Sequence, residues 1–463
     1  SAIVTELAFP QSDALRIPPE ELLKQNGGTG AGEHGNLGEL SLPPSSPAPP
    51  SDLDQISYVQ FTSGSTGRPR GAALTLKAMV ASLEAMRWRF RMTPEDQVVS
   101  WLPMYHDMGF FGTFLLPLYC GATLTLMDPS FFVANPLLWF KAMAEAKVTM
   151  TAVSPSALQL CLDLLQRRPL SRLDLSSAIH FIVGSESVPP RLIQNSRQVL
   201  TRYGVNESVL KPSYGLAEAT LAVTAPLIGQ SPRVDWVRGE SLEVDRKAVP
   251  TTAEASGAQG WVSAGVPLEG FHLCIASETG EPLPERHVGR ILLKSPSLMT
   301  ATLEEGTFHP RRGEWLDTGD LGYLAEGELF ITGRQRDIII KRGRNYSPER
   351  LEHLTTLTEG VHHVVAFGLY DQSTFTEKVI LLIEPRGKFY KTADQRDRMR
   401  LSVRSHLRTA GYEVDEVYIV PKGSLPRTTS GKIRRQQCRE LFLQNAFDKE
   451  ESSESEPLDH QNL

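Results

Sequence analysis

The sequence predicts an α/β fold: a large N-terminal domain with a mostly parallel, helix-covered sheet and a β-rich subdomain, followed by a small α+β C-terminal domain. Three observations lead there. Over residues 52–232, aliphatic and β-branched runs alternate with longer stretches of helical periodicity, the pattern of right-handed β-α-β crossovers. Over 233–336 the texture changes to short strands broken by frequent turns. Over 337–445 a compact mixture of both patterns returns.

In chain order, residues 1–25 hold a short apolar run and a helix-like stretch, and residues 26–51 are rich enough in Gly, Pro and Ser to read as a flexible linker. Ile56 to Phe61 is the first strand pattern. Val98 to Leu102, Val148 to Val153, Ala178 to Val183 and Val209 to Lys211 are further strands, separated by helices near 76–90, 136–146, 155–166 and 190–203. Ligands bind at the carboxyl ends of strands in such sheets. The loop after Phe61, Gly184-Ser185-Glu186 and Ser213-Tyr214-Gly215 each follow a strand, so one shared rim is expected. Ile291 to Leu293 and Glu328 to Thr332 are strands of the β-rich part. Met108 to Met127 lacks any charge and is long enough to span a bilayer, but Gly109, Gly112, Pro117 and Gly121 divide it into two core elements, so no membrane span is expected. Residues 446–463 are acidic and poor in apolar side chains, and are expected to be disordered.

The chain has 463 residues, 40% of them hydrophobic, enough for several sizeable cores. A net charge of −6 gives no global basic field and argues against a nucleic-acid partner. Cys120, Cys161, Cys274 and Cys438 are far apart, with no metal or redox spacing, and read as reduced, buried thiols of a cytoplasmic protein. The N-terminal residues lack the basic start and apolar middle of a secretory signal.

Chemistry is concentrated in short motifs. Thr62-Ser63-Gly64-Ser65-Thr66-Gly67-Arg68-Pro69-Arg70 follows a strand, and its glycines, hydroxyls and terminal cation suit a phosphate. It is neither a Walker A loop nor a dinucleotide turn. Alone, such a loop also reads as a solvated turn. It is joined, in order, by Ser213-Tyr214-Gly215-Leu216-Ala217-Glu218, Asp317-Thr318-Gly319-Asp320, Gly333-Arg334-Gln335-Arg336-Asp337 and Ser430-Gly431-Lys432.

This ordered set resembles the adenylate-forming superfamily from Tyr58 to about Leu443. Trp101 to Gly109, Gly184-Ser185-Glu186 and Arg342-Gly343-Arg344-Asn345 are similar to its fatty acyl-AMP ligases. The resemblance implies ATP-dependent conversion of a fatty acid to acyl-adenylate, then transfer to the phosphopantetheine thiol of a holo-acyl carrier protein or a polyketide or peptide synthase. An acyl-CoA synthetase, or a truncated module that only binds acyl groups or nucleotide, are the alternatives. Magnesium would sit on Glu218 and Thr66. ATP or AMP would contact Thr62, Ser63, Gly64, Ser65, Thr66, Gly67, Arg70, Gly184, Ser185, Glu186, Ser213, Tyr214, Gly215, Asp320 and Arg334, with Tyr214 on adenine and Asp320 on the ribose. Lys432, His106 and Glu218 would be catalytic. Asp337 would be the hinge of a mobile C-terminal domain. Residues Ile228 to Pro250 fall where the family carries an insertion thought to impede the motion needed for CoA chemistry. Apolar residues between Trp101 and Phe140 fit an acyl channel, and fit core packing equally well. Two departures stand out: most of the family's first subdomain is missing, implying N-terminal truncation, and Arg70 stands where lysine is usual.

Overall fold

The structure, a computed structural model, describes residues 53–62, 70–387, 392–427 and 432–447. Residues 1–25, the linker, the acidic tail beyond Phe447 and most of the phosphate loop, including Ser63, Gly64, Ser65, Thr66 and Gly67, therefore lie outside the described residues.

β1 (Ile56–Thr62) and β2 (Arg70–Thr75) lead into α1 (Leu76–Phe90). Thr75 caps α1 by accepting from the Ala78 amide at 3.1 Å, filling one of the helix's orphan donors. A parallel sheet follows, built from β3 (Gln97–Ser100), β4 (Thr123–Leu126), β5 (Met150–Val153), β6 (His180–Val183) and β7 (Leu210–Pro212), in the order β4-β3-β5-β6-β7. Side chains alternate across a strand, and the sheet uses both faces. Val98, Met150, Ala152 and Ile182 enter the core beneath α1, whereas Val99, Val153, Phe181 and Val183 enter a second core. That second core is closed by α2 (Leu137–Glu145), α3 (Pro155–Arg167) and α4 (Pro190–Leu200).

One expectation needs correcting. β1 does not belong to the parallel sheet: it pairs antiparallel with β2 in a separate sheet whose order is β1-β2-β15-β16, where β15 is Ala301–Glu304 and β16 is Thr307–Pro310. The physical reason is connection length. Thr62 pairs with Arg70, and so short a link joins antiparallel neighbours, since a parallel crossover takes about a dozen residues or more. The phosphate loop is thus a hairpin connection. β1, which leads into it, reaches the rim: Gln60 Nε2 donates to the Tyr105 carbonyl at 3.1 Å, beside His106.

β8 (Tyr214–Gly215) and β9 (Ala222–Ala225) lead to β10 (Val234–Arg238), α5 (Gly239–Val244), β11 (Ala258–Val262) and β12 (Val266–Pro267). β13 (His272–Ala276), β14 (Gly289–Lys294), β17 (Leu316–Ala325) and β18 (Glu328–Arg334) form an antiparallel sheet, as the short-strand texture predicts. Buried Arg89 on α1 donates to the carbonyls of Ala225, Val266 and Pro267 and so ties the two regions together.

The small domain starts with β19 (Ile339–Lys341), β20 (Arg344–Tyr346) and α6 (Pro348–Thr356). The hairpin β21 (Val361–Asp371) and β22 (Thr376–Pro385) is flanked by α7 (Ala393–Thr409), β23 (Glu416–Ile419) and α8 (Arg435–Leu443). It has its own core around Leu351, Leu381, Val403 and Tyr412.

Among the described residues no helix is long and apolar enough to cross a membrane. Met108 to Met127 instead forms the wide helix Met108–Leu115, the short helix Leu116–Cys120 and β4. Cys161 and Cys438 are fully buried, and burial pushes both thiols up to about 12. Cys120 and Cys274 are only partly buried, which corrects the expectation of four buried thiols.

Burial also gives the fold an acid sensitivity. His180 is 3% exposed, with Nε2 3.0 Å from the Phe90 carbonyl, and burial, helped by Lys211, pulls its pKa down to about 4. Such a depressed imidazole contributes stability that is full above the unfolded value and lost as pH falls from about 6.5 towards 4. The loss attributable to His180 should reach about 3 kcal/mol. Thermal unfolding from pH 7.5 to 4.5 checks it: His180→Asn should show a shallower fall than the parent, and an equal slope would overturn the assignment.

Candidate active site

The rim after β6 and β7 is shaped by close backbone approaches. A Cβ on Gly184 would lie 3.1 Å from the Ser213 carbonyl, and one on Gly215 only 2.2 Å from the Leu221 carbonyl, so position 215 admits no side chain. Ser185 takes φ +71°, a left-handed conformation uncommon for a residue with a Cβ. Glu186 is tied to the neighbouring helix. Its carboxylate accepts from the amide and hydroxyl of Ser156, both at 3.1 Å, and caps the first turn of α3, where negative charge is favoured. Ser213 donates its hydroxyl to the Lys211 carbonyl at 3.0 Å.

Tyr214 is 8% exposed and donates its hydroxyl to Asp320 Oδ2 at 2.7 Å. Arg334 Nε lies 3.2 Å from Asp320 Oδ1, because Asp320 on β17 and Arg334 on β18 are cross-strand partners. Burial raises the Asp320 carboxyl, against the pull of Arg334 and Tyr214. Glu218 sits in the single turn Ala217–Ala219. Burial raises its carboxyl too; Arg334 opposes this, while Asp107 and Asp320 add to it. His106 Nδ1 is 2.6 Å from Asp107 Oδ1, and Asp107 accepts from the Met108 amide at the start of the wide helix.

Lys432 comes from the small domain and donates to the Ser185 carbonyl at 2.6 Å. Burial lowers its pKa, while Glu186 and Asp107 hold the charge and Arg334 opposes it. The structure therefore gathers Gly184, Ser185, Tyr214, Glu218, Asp320, Arg334, His106 and Lys432 into one site. Arg70 is at the start of β2, its Nε 3.1 Å from Glu304 on β15. Asp107 and Thr318, whose hydroxyl accepts from the Asp320 amide at 3.2 Å, also belong to the site; each lies inside a quoted motif, which was the available signal.

An apolar cavity of about 50 Å³ opens beside Gly184 and Ser213, walled by Met86, Phe90, Met108, Met150, Ile182 and Leu221. Of the segment proposed as an acyl channel, only Met108 and Gly112 line it. Phe132, Trp139 and Phe140 are instead packed in the second core, with Trp101 stacked on Phe132 at 3.6 Å between ring centroids. Core packing accounts for those three.

Among the described residues no group of three or more His, Cys, Asp or Glu is placed to hold a metal by itself. The half-buried Glu218, in the field of two further carboxylates, is nonetheless a hard oxygen donor of the kind magnesium takes together with phosphate oxygens and water.

This combination of a parallel α/β sheet, a tyrosine-aspartate-arginine pocket and a lysine delivered by a second domain defines an adenylate-forming ligase. The chain belongs to the AMP-binding enzyme family, whose pattern matches residues 6–301. It is 34% identical over 399 residues to a Caulobacter vibrioides protein provisionally named an acyl-CoA synthetase, covering 84% of this chain and 68% of that one. It is 32% identical over 422 residues to JamA of Moorena producens, a medium-chain fatty-acid acyl-carrier-protein ligase, covering 87% and 70%. A solved structure from a study of the fatty acyl-adenylate ligases of E. coli and L. pneumophila superposes with a TM-score of 0.76 at 31% identity, covering 86% of this chain and 72% of that one.

Proposed function

We propose that the protein activates a fatty acid as its acyl-adenylate and passes the acyl group to the phosphopantetheine thiol of a carrier protein. The observation that carries the first half is the position of Lys432 at the Ser185 carbonyl, facing the Tyr214-Asp320-Arg334 pocket across the rim. A carboxylate oxygen attacks the α-phosphorus of ATP, the bond to the β-phosphate oxygen breaks, and pyrophosphate leaves. The barrier is largely the approach of two anions, so positioned cations and exclusion of water supply most of the catalysis. Lys432 neutralises the carboxylate and α-phosphate, Tyr214 covers the adenine, and Asp320 holds the ribose with Arg334 beside it. Glu218 and Thr66 would hold magnesium, which would supply charge neutralisation to the phosphates. His106 lies where the acyl tail meets the reacting carboxylate, and the cavity between α1 and the sheet receives the start of the tail. Asp337 is the pivot of the small domain.

The choice of a carrier over CoA is supported by Glu243. The 228–250 segment builds β10 and α5, and Glu243, 5% exposed, accepts from Gln259 Nε2 and Tyr412 OH at 2.7 Å and from Arg344 Nη2 at 2.6 Å. Asn345 adds a bond to its backbone carbonyl at 2.8 Å. The segment thus grips the small domain through Arg344 and Asn345 of the Arg-Gly-Arg-Asn motif, opposing the rotation that would admit CoA. The Caulobacter relative's name favours the second reading, an acyl-CoA synthetase.

Pyrophosphate release with ATP, magnesium and fatty acids of increasing length, followed by addition of CoA or holo-carrier protein, tests both halves. Acid-dependent release with transfer to the carrier alone is expected. Transfer to CoA would replace the carrier reading, and no release from folded protein would mean a binding module.

A further inference from the structure

Three residues beyond Lys432, Arg435 opens α8 inside the small domain and meets three carboxylates. Its Nη1 is 2.5 Å from Asp337 Oδ2, and its Nη2 is 3.0 Å from Glu349 and 3.0 Å from Glu352, both on α6. Its Nε adds a further bond to Glu352 at 3.3 Å. Burial alone would pull the guanidinium down, but Glu352, Glu349 and Asp337 outweigh it and hold the charge on. The remaining lone pairs are used as well: Glu352 accepts from the Ala366 amide at 2.9 Å and Glu349 from the Ser347 hydroxyl at 3.0 Å.

The connectivity is what matters. Asp337 closes the one-turn helix Gln335–Asp337 immediately after Arg334, which pairs with Asp320. A continuous circuit therefore runs from the nucleoside pocket through Asp320, Arg334 and the hinge turn to Asp337, across the ion pair to Arg435, back three residues to Lys432, and from Lys432 to Ser185. Two side-chain links of that circuit fix the small domain's position: Arg435 ties the base of α8 to the hinge turn at Asp337, and Lys432 ties the segment before it to the rim at Ser185. A planar guanidinium is suited to holding several carboxylates at fixed angles, which an ammonium is not.

We propose that Arg435 is a positioning residue for adenylation: by clamping the hinge residue Asp337 to the base of α8, it holds the preceding Lys432 segment at the Ser185 carbonyl. This rests on the reading of Lys432 as the adenylation lysine. A guanidinium that merely neutralised the core of the small domain would serve stability alone and leave the domain's position untouched.

Asp337→Asn separates the two, because Arg435 keeps Glu349 and Glu352 and the small-domain core keeps its counter-charge. Arg435→Lys keeps the charge and loses the fork. Spin labels at Val133 and Phe375, both at least 80% exposed and on different domains, report the domain separation by pulsed electron resonance. The parent should give one narrow distance. Both variants should add a second, displaced population and lose about tenfold in pyrophosphate release. A single unchanged distance in Asp337→Asn would overturn the latch, whatever happens to the rate. Lys432→Ala run alongside tests the reading underneath: full pyrophosphate release in that variant removes Lys432 from the reaction and the latch with it.

Discussion

Lys432→Ala should lower fatty-acid-dependent pyrophosphate release by on the order of 10²- to 10³-fold, the usual loss when one preorganised cation or donor is taken from a developing charge. The loss should fall on kcat at saturating ATP, with thermal unfolding within a degree or two of the parent. The side chain reaches out of its own domain to the Ser185 carbonyl and takes no part in the small-domain core, so its removal creates no cavity there. Lys432→Arg should restore little, because the carbonyl at 2.6 Å fits a compact ammonium better than a planar fork. The pH profile carries a second sign. Burial lowers the lysine's pKa, so the alkaline limb of adenylation should lie below the range of an ordinary lysine and should disappear in the alanine variant. A rate within threefold of the parent would remove Lys432 from the reaction, and with it the strongest support for the adenylation reading.

What the sequence revealed and what it hid divide along physical lines. β3, β5, β6 and β7 were legible because strands buried on both faces are continuous aliphatic runs between helical periods. Tyr214, Asp320 and Arg334 were legible as motifs, and the structure adds the reason for their spacing: Asp320 and Arg334 are opposite each other on neighbouring strands. The partner of β2 was not legible, since β15 lies more than 200 residues away and no local pattern encodes so distant a pairing. The same holds for charge. In the sequence Arg435 and Glu243 carry no local signal of their own, and Glu186 is simply the third residue of the Gly184-Ser185-Glu186 turn. Their partners, respectively Asp337 with Glu349 and Glu352, Arg344 with Tyr412, and Ser156, come together only on folding. The Trp101 to Phe140 stretch fails for the opposite reason: an apolar run is the same signal whether it walls a cavity or fills a core, and only Met108 and Gly112 reach the cavity.

Glu243→Ala should convert the small domain from gripped to loosely held. The carboxylate is nearly buried and answers three donors, so deleting it takes the counter-charge from the Arg344 guanidinium and the shared acceptor from the Gln259 amide and the Tyr412 hydroxyl, leaving Arg344 only the Gly411 carbonyl and Gln259 only Tyr412. Breaking a fully buried charge pair costs about 3–5 kcal/mol, and the partial exposure of Arg344 and its remaining bond to Gly411 bring the expected cost to about 2 kcal/mol. That cost falls on the contact between the domains, because Glu243 and Gln259 belong to the large domain while Arg344 and Tyr412 belong to the small one. Each domain has its own hydrophobic core, so the large and small cores should unfold at nearly unchanged temperatures while the domain-separation distance broadens. Function should move in two directions. Adenylation should fall severalfold, as Lys432 spends less time at Ser185, and acyl transfer to CoA should rise above the parent's as the small domain gains the freedom to rotate. Glu243→Gln retains the hydrogen-bonding shape without the charge and should lie between the two. If Glu243→Ala transfers no acyl group to CoA although the distance distribution has broadened, then the grip is not what excludes CoA, and the choice of acceptor lies in the thiol's access to the acyl-adenylate rather than in the position of the small domain.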